Sequence, residues 1–210
     1  MLRGVSYTVR SGGPLYLALT NSCNSATLIA TRGPGFSMPD GFEPLPDGGE
    51  EPSAAQLAAV VVRAYEDIEI IGMGENDGGI TFAGLGEPLL RLETLLETVR
   101  LVKESNHGVP FRVVTNGLVG PEVAEALKGG GVKQVTVALA AHTPPLYEKL
   151  MAPQDGRGFG DVCAFVDACA QAGLLVECTA VEAPGVNKDA TRKLAMSLGA
   201  AEFRVRSYHA

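Results

Sequence analysis

Ile80-Thr-Phe-Ala83 is a short apolar run typical of a buried strand, and Gly84-Leu-Gly-Glu-Pro88 follows it as a turn. Asn106-His-Gly108 further on is typical of a helix end. Between the two turns, a series at helical spacing gives a predicted helix its apolar face: Leu92, Leu95, Leu96, Val99 and Val102. Residues 80–108 therefore read as one β/α unit.

The same unit recurs along the chain and predicts an α/β fold with six strands. Alternation of strands and helices implies a parallel sheet, because each helix must carry the chain back along it. The strand runs are near-continuously apolar, as in sheets covered by helices. Six units fit an open (β/α)6 partial TIM barrel or a doubly wound sheet, with ligands at the carboxyl ends of the strands. The predicted strands are 15–20, 80–83, 111–115, 132–140, 174–181 and 201–208.

The chain of 210 residues suits a single domain that spans 1–210. A Gly/Pro-rich loop at 32–52 follows the first predicted strand. Residues 68–71 extend towards the second strand, and 75–79 form a predicted turn.

Composition and charge narrow the class of protein. The formal net charge is −7 and the pI about 5.0, which argues against binding to nucleic acid by bulk electrostatics. No apolar run reaches the roughly 20 residues of a membrane helix. We expect a soluble, cytoplasmic protein. A short organelle-targeting remnant stays open, since Met1–Arg10 carries two arginines and no acid.

The spacing of the four cysteines does not match that of a known zinc site. They are Cys23, Cys163, Cys169 and Cys178, and none forms a Cys-x-x-Cys pair. The last three read as small apolar residues of the core.

Polar residues follow several strands, at the ends where a ligand is expected. Thr20-Asn-Ser-Cys23 follows the first strand, Gly84-Leu-Gly-Glu87 the second, and Thr115-Asn116-Gly117 the third. The chain ends on Phe203-Arg-Val-Arg-Ser-Tyr208. In this order and spacing, from about Leu15 to Tyr208, the chain resembles radical SAM enzymes, and more narrowly the small TatD-associated radical SAM group.

The resemblance implies a [4Fe–4S] cluster held by three cysteines of a Cys-x-x-x-Cys-x-x-Cys loop after the first strand. Here the first position is Cys23, but the second is Thr27 and the third Ala30. Neither residue supplies a thiolate, the donor that such a cluster needs. We therefore expect a degenerate motif, with Cys23 as its remnant and no cluster bound by this chain alone.

The resemblance also implies a pocket for S-adenosylmethionine (SAM). In the family, a glycine- and glutamate-containing turn after the second strand contacts the methionine amino group, and Gly84, Gly86 and Glu87 match it. These residues also fit a tight turn whose acid favours the helix start. Asn116 either bonds a ligand or caps its own turn. His142 is either a ribose contact, replacing the polar residue missing at Ala138–Ala141, or an ordinary loop histidine.

Arg204 and Arg206 are candidates for binding an anion. They alternate with Val205, so both face one side of the last strand. A pair of guanidinium groups suits a carboxylate or a phosphate.

Three functions remain open from the sequence. The first is a pseudoenzyme that keeps the fold and a SAM-like pocket as a binding or regulatory module; the resemblance implies a TatD-like metal-dependent hydrolase as its partner. The second is an enzyme of other chemistry in the same cavity. The third is an active radical SAM enzyme with atypical cluster ligands.

Overall fold

The computed structural model describes residues 3–9, 13–66, 71–72 and 77–210. The predicted segment 68–71 lies outside them except for Ile71, and so do the first two residues of the predicted turn 75–79. Within the described ranges, every helix is too short or too polar to cross a membrane.

The described strands form one sheet whose spatial order follows the chain from β1 to β7. β1 is antiparallel to β2, and all other neighbouring pairs are parallel. The predicted α/β fold with six parallel strands is confirmed, and β1 adds an edge strand. The bounds are β1 Ser6–Tyr7, β2 Leu15–Leu17, β3 Ile80–Phe82, β4 Phe111–Thr115, β5 Gln134–Ala138, β6 Leu175–Val181 and β7 Glu202–Arg206.

Helices connect the parallel strands. A capping box at Ser53 starts α2: the Ser53 side chain accepts from the Gln56 backbone, and the Gln56 side chain accepts from the Ser53 backbone. A 3-10 turn at Pro88–Arg91 leads into α3. The sequence did not predict the short helix α1 at Leu28–Arg32. The bounds are α1 Leu28–Arg32, α2 Ala54–Ala64, α3 Leu92–Ser105, α4 Val123–Gly130, α5 Pro144–Met151, α6 Phe159–Gln171 and α7 Lys188–Ser197.

The strand order decides between the two predicted architectures. Crossovers between parallel strands are right-handed. When each new strand joins the same edge of the growing sheet, all the crossover helices therefore lie on one face of it. A doubly wound sheet needs a reversal of strand order, and β2 to β7 have none. The sheet is therefore a partial barrel with helices outside and a lumen inside.

The two faces of the sheet differ in polarity. Apolar side chains of the outer face are fully buried, among them Leu17, Ile80, Phe82, Phe111, Val113, Val135, Val137 and Cys178. The prediction of near-continuously apolar strands is therefore wrong for the inner face. This face lines a cavity and is not covered by helices. Its side chains include Tyr16, Thr81, Arg112, Thr136, Glu177 and Thr179.

Candidate functional site

A cavity of about 610 Å³ occupies the lumen and reaches the carboxyl ends of the strands. This volume lies within the usual range for small-molecule sites. The wall includes six of the predicted site residues: Cys23, Gly84, Gly86, Glu87, Asn116 and Arg206. His142 and Arg204 are not part of that wall.

Asn116 holds the segment after β2 in place. Its Nδ2 donates to Asn24 Oδ1 at 2.7 Å and to Ser25 Oγ at 3.0 Å, and lies 3.8 Å from Cys23 Sγ. Its Oδ1 accepts from the Leu118 backbone N–H at 2.9 Å. The side chain thus closes its own turn, one of the two predicted roles, and also fixes the position of Cys23 at the cavity.

Glu87 is a buried carboxylate at the same end of the cavity. Its Oε1 accepts from Leu89 N at 2.9 Å and from Thr115 Oγ1 at 2.7 Å, and its Oε2 accepts from Asn116 N at 2.7 Å. Burial raises the pKa of Glu87 from its usual 4.5 to about 6, against the opposing effect of these hydrogen bonds. An ionised carboxylate accepts about four hydrogen bonds, so Oε2 keeps capacity for one more donor.

The two glycines of the turn permit close packing against the end of β2. A Cβ on Gly86 would lie 2.4 Å from Thr20 O and 2.6 Å from Ser22 O. A Cβ on Gly84 would lie 3.0 Å from the Cβ of Ala18. Both glycines also line the cavity. The tight turn predicted from the sequence is therefore present, and it brings Glu87 beside Asn116.

The three positions of the predicted cluster loop differ in their surroundings. The Cys23 thiol lines the cavity beside Ser25 Oγ, at 3.6 Å. Thr27 is the N-cap of α1, and its hydroxyl accepts from the Ala30 backbone N–H at 3.5 Å. Ala30 lies exposed on α1. This donor set does not match the three thiolates that hold a [4Fe–4S] cluster.

The other three cysteines lie on α6 and β6, away from the cavity wall. Cys169 and Cys178 are fully buried, as predicted, while Cys163 is half-buried. Burial raises the pKa of all three thiols, to about 12 for Cys169 and Cys178, which disfavours the thiolate that binds metal. In the described part of the chain, no three His, Cys, Asp or Glu side chains are grouped so that they could hold a metal ion.

His142 follows β5 in the loop before α5. Its Nδ1 is buried and has no hydrogen-bond partner among the described residues. The residue stands apart from the cavity wall, and its assignment as a ribose contact or as an ordinary loop histidine stays a prediction.

Arg204 and Arg206 share one side of β7, as predicted, and both face Glu177. The Nη2 atom of Arg204 lies 2.9 Å from Glu177 Oε2, and that of Arg206 lies 3.9 Å from Glu177 Oε1. Arg204 also lies 3.7 Å from Glu202. The guanidinium of Arg204 is thus occupied by carboxylates of the chain itself, whereas Arg206 also faces the cavity.

Sequence reasoning missed the inner residues of the lumen. The Glu177 side chain is only 3% exposed and lies near both arginines, so it offsets one of their two positive charges. Its signal is a lone acid in the apolar run 174–181, a position where unpaired charge is rare. Arg112 is likewise the one charged residue in the predicted strand 111–115.

The family model of the Radical SAM superfamily matches residues 47–197, more than half of the chain. The GTP 3',8-cyclase of Alkaliphilus oremlandii is 28% identical over 124 residues, which cover 59% of this chain and 37% of the cyclase. A probable dual-specificity RNA methyltransferase RlmN of Synechococcus sp. (strain CC9311) is 38% identical over 105 residues, covering 46% of this chain and 29% of the methyltransferase. The chain thus spans well under half the length of these curated relatives.

Solved structures share the fold. Streptococcus suis SuiB bound to S-adenosylmethionine superposes with a TM-score of 0.63 at 16% identity, over 95% of this chain and 42% of SuiB. The protein anSMEcpe with bound AdoMet superposes with a TM-score of 0.66 at 16% identity, over 92% of this chain and 52% of that protein. With the partial barrel and the family match to residues 47–197, these likenesses lead to one conclusion: this chain belongs to the Radical SAM superfamily.

Proposed function

We propose that this chain binds SAM at the carboxyl end of its lumen and does not hold a [4Fe–4S] cluster by itself. It would then act as a binding or regulatory module rather than cleave SAM reductively. The observation that carries the proposal is a contrast between two loops at one cavity. The turn at 84–87 keeps its glycines and its acid, whereas the loop after β2 offers one thiol in three positions.

The turn at 84–87 supports binding of the methionine ammonium. Glu87 Oε2 accepts one hydrogen bond within the chain, from Asn116 N, and the carboxylate lies at the cavity wall. An ammonium group that donates to this oxygen would offset the burial of the negative charge. Glu87 would thus recognise the charged end of SAM, while Gly84 and Gly86 leave the backbone accessible beside it.

The loop after β2 supports the absence of a cluster bound by this chain alone. Three soft anionic donors must converge on one cluster, and here a hydroxyl and a methyl group replace two of them. The Thr27 hydroxyl is engaged in capping α1. Cys163, Cys169 and Cys178 would need α6 and β6 to rearrange before they could replace those ligands.

Anaerobic reconstitution with iron and sulfide, followed by iron analysis and SAM calorimetry, tests both halves of the proposal. We expect well under about one iron per chain, against about four for an intact cluster. We expect SAM to bind, and to bind at least about tenfold more weakly to Glu87→Ala, because a charged hydrogen bond is lost. Glu97→Ala is the matched control, since Glu97 is exposed on α3.

Two results would contradict the proposal. About four irons per chain, with cleavage of SAM to a deoxyadenosyl product, would refute the half that concerns the cluster. The absence of binding heat with both SAM and its demethylated product would refute the half that concerns the ligand.

We also infer that the chain belongs to the TatD-associated group and that its partner is a TatD-like metal-dependent hydrolase. The order of motifs from Leu15 to Tyr208 supports this placement. Leu28 and Ile29 on α1 and Leu90 after β3 are 40–45% exposed at the carboxyl ends of the strands, where a partner would contact apolar surface. Co-elution of the chain with a purified TatD-like hydrolase is expected, and separate elution at micromolar concentration would refute the pairing.

A further inference from the structure

The inner face of the sheet carries polar and charged side chains rather than an apolar core. In closed barrels, bulky apolar side chains fill the interior in layers. Here the inner positions of four neighbouring parallel strands carry hydroxyl and charged groups around a cavity of about 610 Å³. These side chains are Thr81, Arg112, Thr136 and Glu177.

One row of hydrogen-bonding side chains crosses the strands β2 to β5, and we call it the inner row. Its members are Tyr16, Thr81, Arg112 and Gln134, because strand register places each of them beside the next. Neighbouring strands lie about 4.8 Å apart, so the first three members lie within about 10 Å. On β4, Arg112 stands two residues deeper in the lumen than Val114, and it precedes Asn116, which follows the strand, by four residues.

Arg112 is the cation of the inner row, and its hydrogen-bond partner is neutral. Its Nη2 donates to Gln134 Oε1 at 2.6 Å. Among the described residues, no carboxylate lies within ion-pair distance of it. A half-buried guanidinium without a counter-charge favours an anion, and its remaining donors suit bidentate contact.

The other cations of the cavity wall have partners in the chain. Arg206 lies 3.9 Å from Glu177. Arg32 donates from Nε to Ser207 O at 2.9 Å and stacks over Phe36 at 4.7 Å. Arg32 and Arg112 are thus the two cations of the described wall without a carboxylate partner, and Arg112 is the one whose strand register places it on the inner face of the sheet beside Thr81.

Thr136 supplies a second, independent observation at the same wall. It is 4% exposed, lines the cavity, and its Oγ1 has no hydrogen-bond partner among the described residues. It lies on β5 in register with Val114, the next inward residue of β4 after Arg112. A buried hydroxyl without a partner is costly, so a group that bonds to it would stabilise the complex.

We propose that the inner row is a second subsite of the lumen, which binds the carboxylate or phosphate group of a small anionic ligand through Arg112. The subsite goes beyond the proposed binding of SAM and does not depend on it, because it lies deeper in the lumen than Glu87 and Asn116. Inorganic phosphate and succinate serve as probes that separate the two kinds of oxyanion.

Thermal-shift and calorimetric titrations with each probe, without SAM, test the subsite. We expect at least one probe to bind, and its affinity to fall at least about tenfold in Arg112→Gln, whose amide can still pair with Gln134. Arg100→Gln removes the same charge from the exposed face of α3 and should leave the affinity unchanged. Thr136→Val, which keeps the shape of the side chain, should weaken binding about threefold or more.

Equal binding of both probes to the parent chain and to Arg112→Gln would overturn the subsite, and so would the absence of binding to the parent chain. Circular dichroism of each variant checks that it is folded. SAM calorimetry on Arg112→Gln separates this proposal from the previous one. Unchanged SAM affinity with lost phosphate or succinate affinity supports two independent subsites, whereas loss of SAM affinity alone contradicts them.

Discussion

The double variant Thr27→Cys, Ala30→Cys should gain about four irons per chain on anaerobic reconstitution, where the parent chain gains almost none. The two changes complete a Cys-x-x-x-Cys-x-x-Cys loop with Cys23, which already lines the cavity. Iron and sulfide analysis and the visible absorption of thiolate-bound iron measure the gain. The effect is large because the third thiolate turns an incomplete donor set into a complete one.

The cost of rearranging the loop should be small beside the gain from metal binding. α1 has five residues, and its N-cap bond from Ala30 N to Thr27 Oγ1 is long at 3.5 Å. Loss of an N-cap costs about 1 kcal/mol, and a single turn has little stability of its own. Metal–thiolate binding free energies in small sites reach about 10 kcal/mol or more.

Matched controls separate cluster binding from a general change in the loop. Thr27→Ser, Ala30→Ser alters the same positions, keeps a capping hydroxyl and adds no thiol, so it should stay free of iron. Each single cysteine variant should hold much less iron than the double variant. If the double variant stays free of iron while folded, the loop does not stand at the cluster position, and the interpretation of Cys23 as a remnant of the motif fails.

The fold could be predicted because its main signals are local. The series from Leu92 to Val102 has helical period, and 80–83 and 111–115 are short apolar runs bounded by turns. β1 could not be predicted from Ser6–Tyr7, since two residues show no period. α1 depends on one cap at Thr27 and buries none of its residues, so its helical signal is weak.

The candidate site was predictable only where chain order implied position. Cys23, Glu87 and Asn116 follow successive parallel strands, and such strand ends meet at one edge of a sheet. The pairing of Arg204 and Arg206 with Glu177 depends on the register of β6 against β7, which is a tertiary property. The inner row likewise requires the registers of β2 to β5, although Arg112 within an apolar strand was a signal that could have been followed.

Glu87 should make the stability of the chain depend on pH in a direction opposite to that of most carboxylates. Its pKa rises from 4.5 to about 6 on folding, so the folded state holds the proton more tightly than the unfolded state. As pH rises from about 4.5 to 6, the folded state therefore loses stability. At about 1.4 kcal/mol per pH unit, the loss is about 2 kcal/mol.

The variant Glu87→Gln isolates this contribution. Leu89 N and Asn116 N donate to different oxygens of Glu87, and the amide replaces one of these oxygens by an NH2 group, so the variant should be less stable than the parent by about 1–3 kcal/mol at low pH. The gap should narrow by about 2 kcal/mol between pH 4.5 and 7, because only the parent carries the buried charge. Urea unfolding of both proteins across this range measures the gap. A gap that stays constant would contradict the raised pKa.

The same ionisation should govern SAM binding. An ammonium that contacts Glu87 prefers the carboxylate, so SAM affinity should fall by up to about tenfold for each pH unit below 6. The α-amino group stays protonated in this range, and burial raises the pKa of the nearby Tyr147 phenol, so neither group titrates there. In Glu87→Gln, the affinity should be weaker and flat with pH. If SAM binds and its affinity is equally flat in the parent chain, the ammonium does not contact Glu87, and the assignment of the 84–87 turn is wrong.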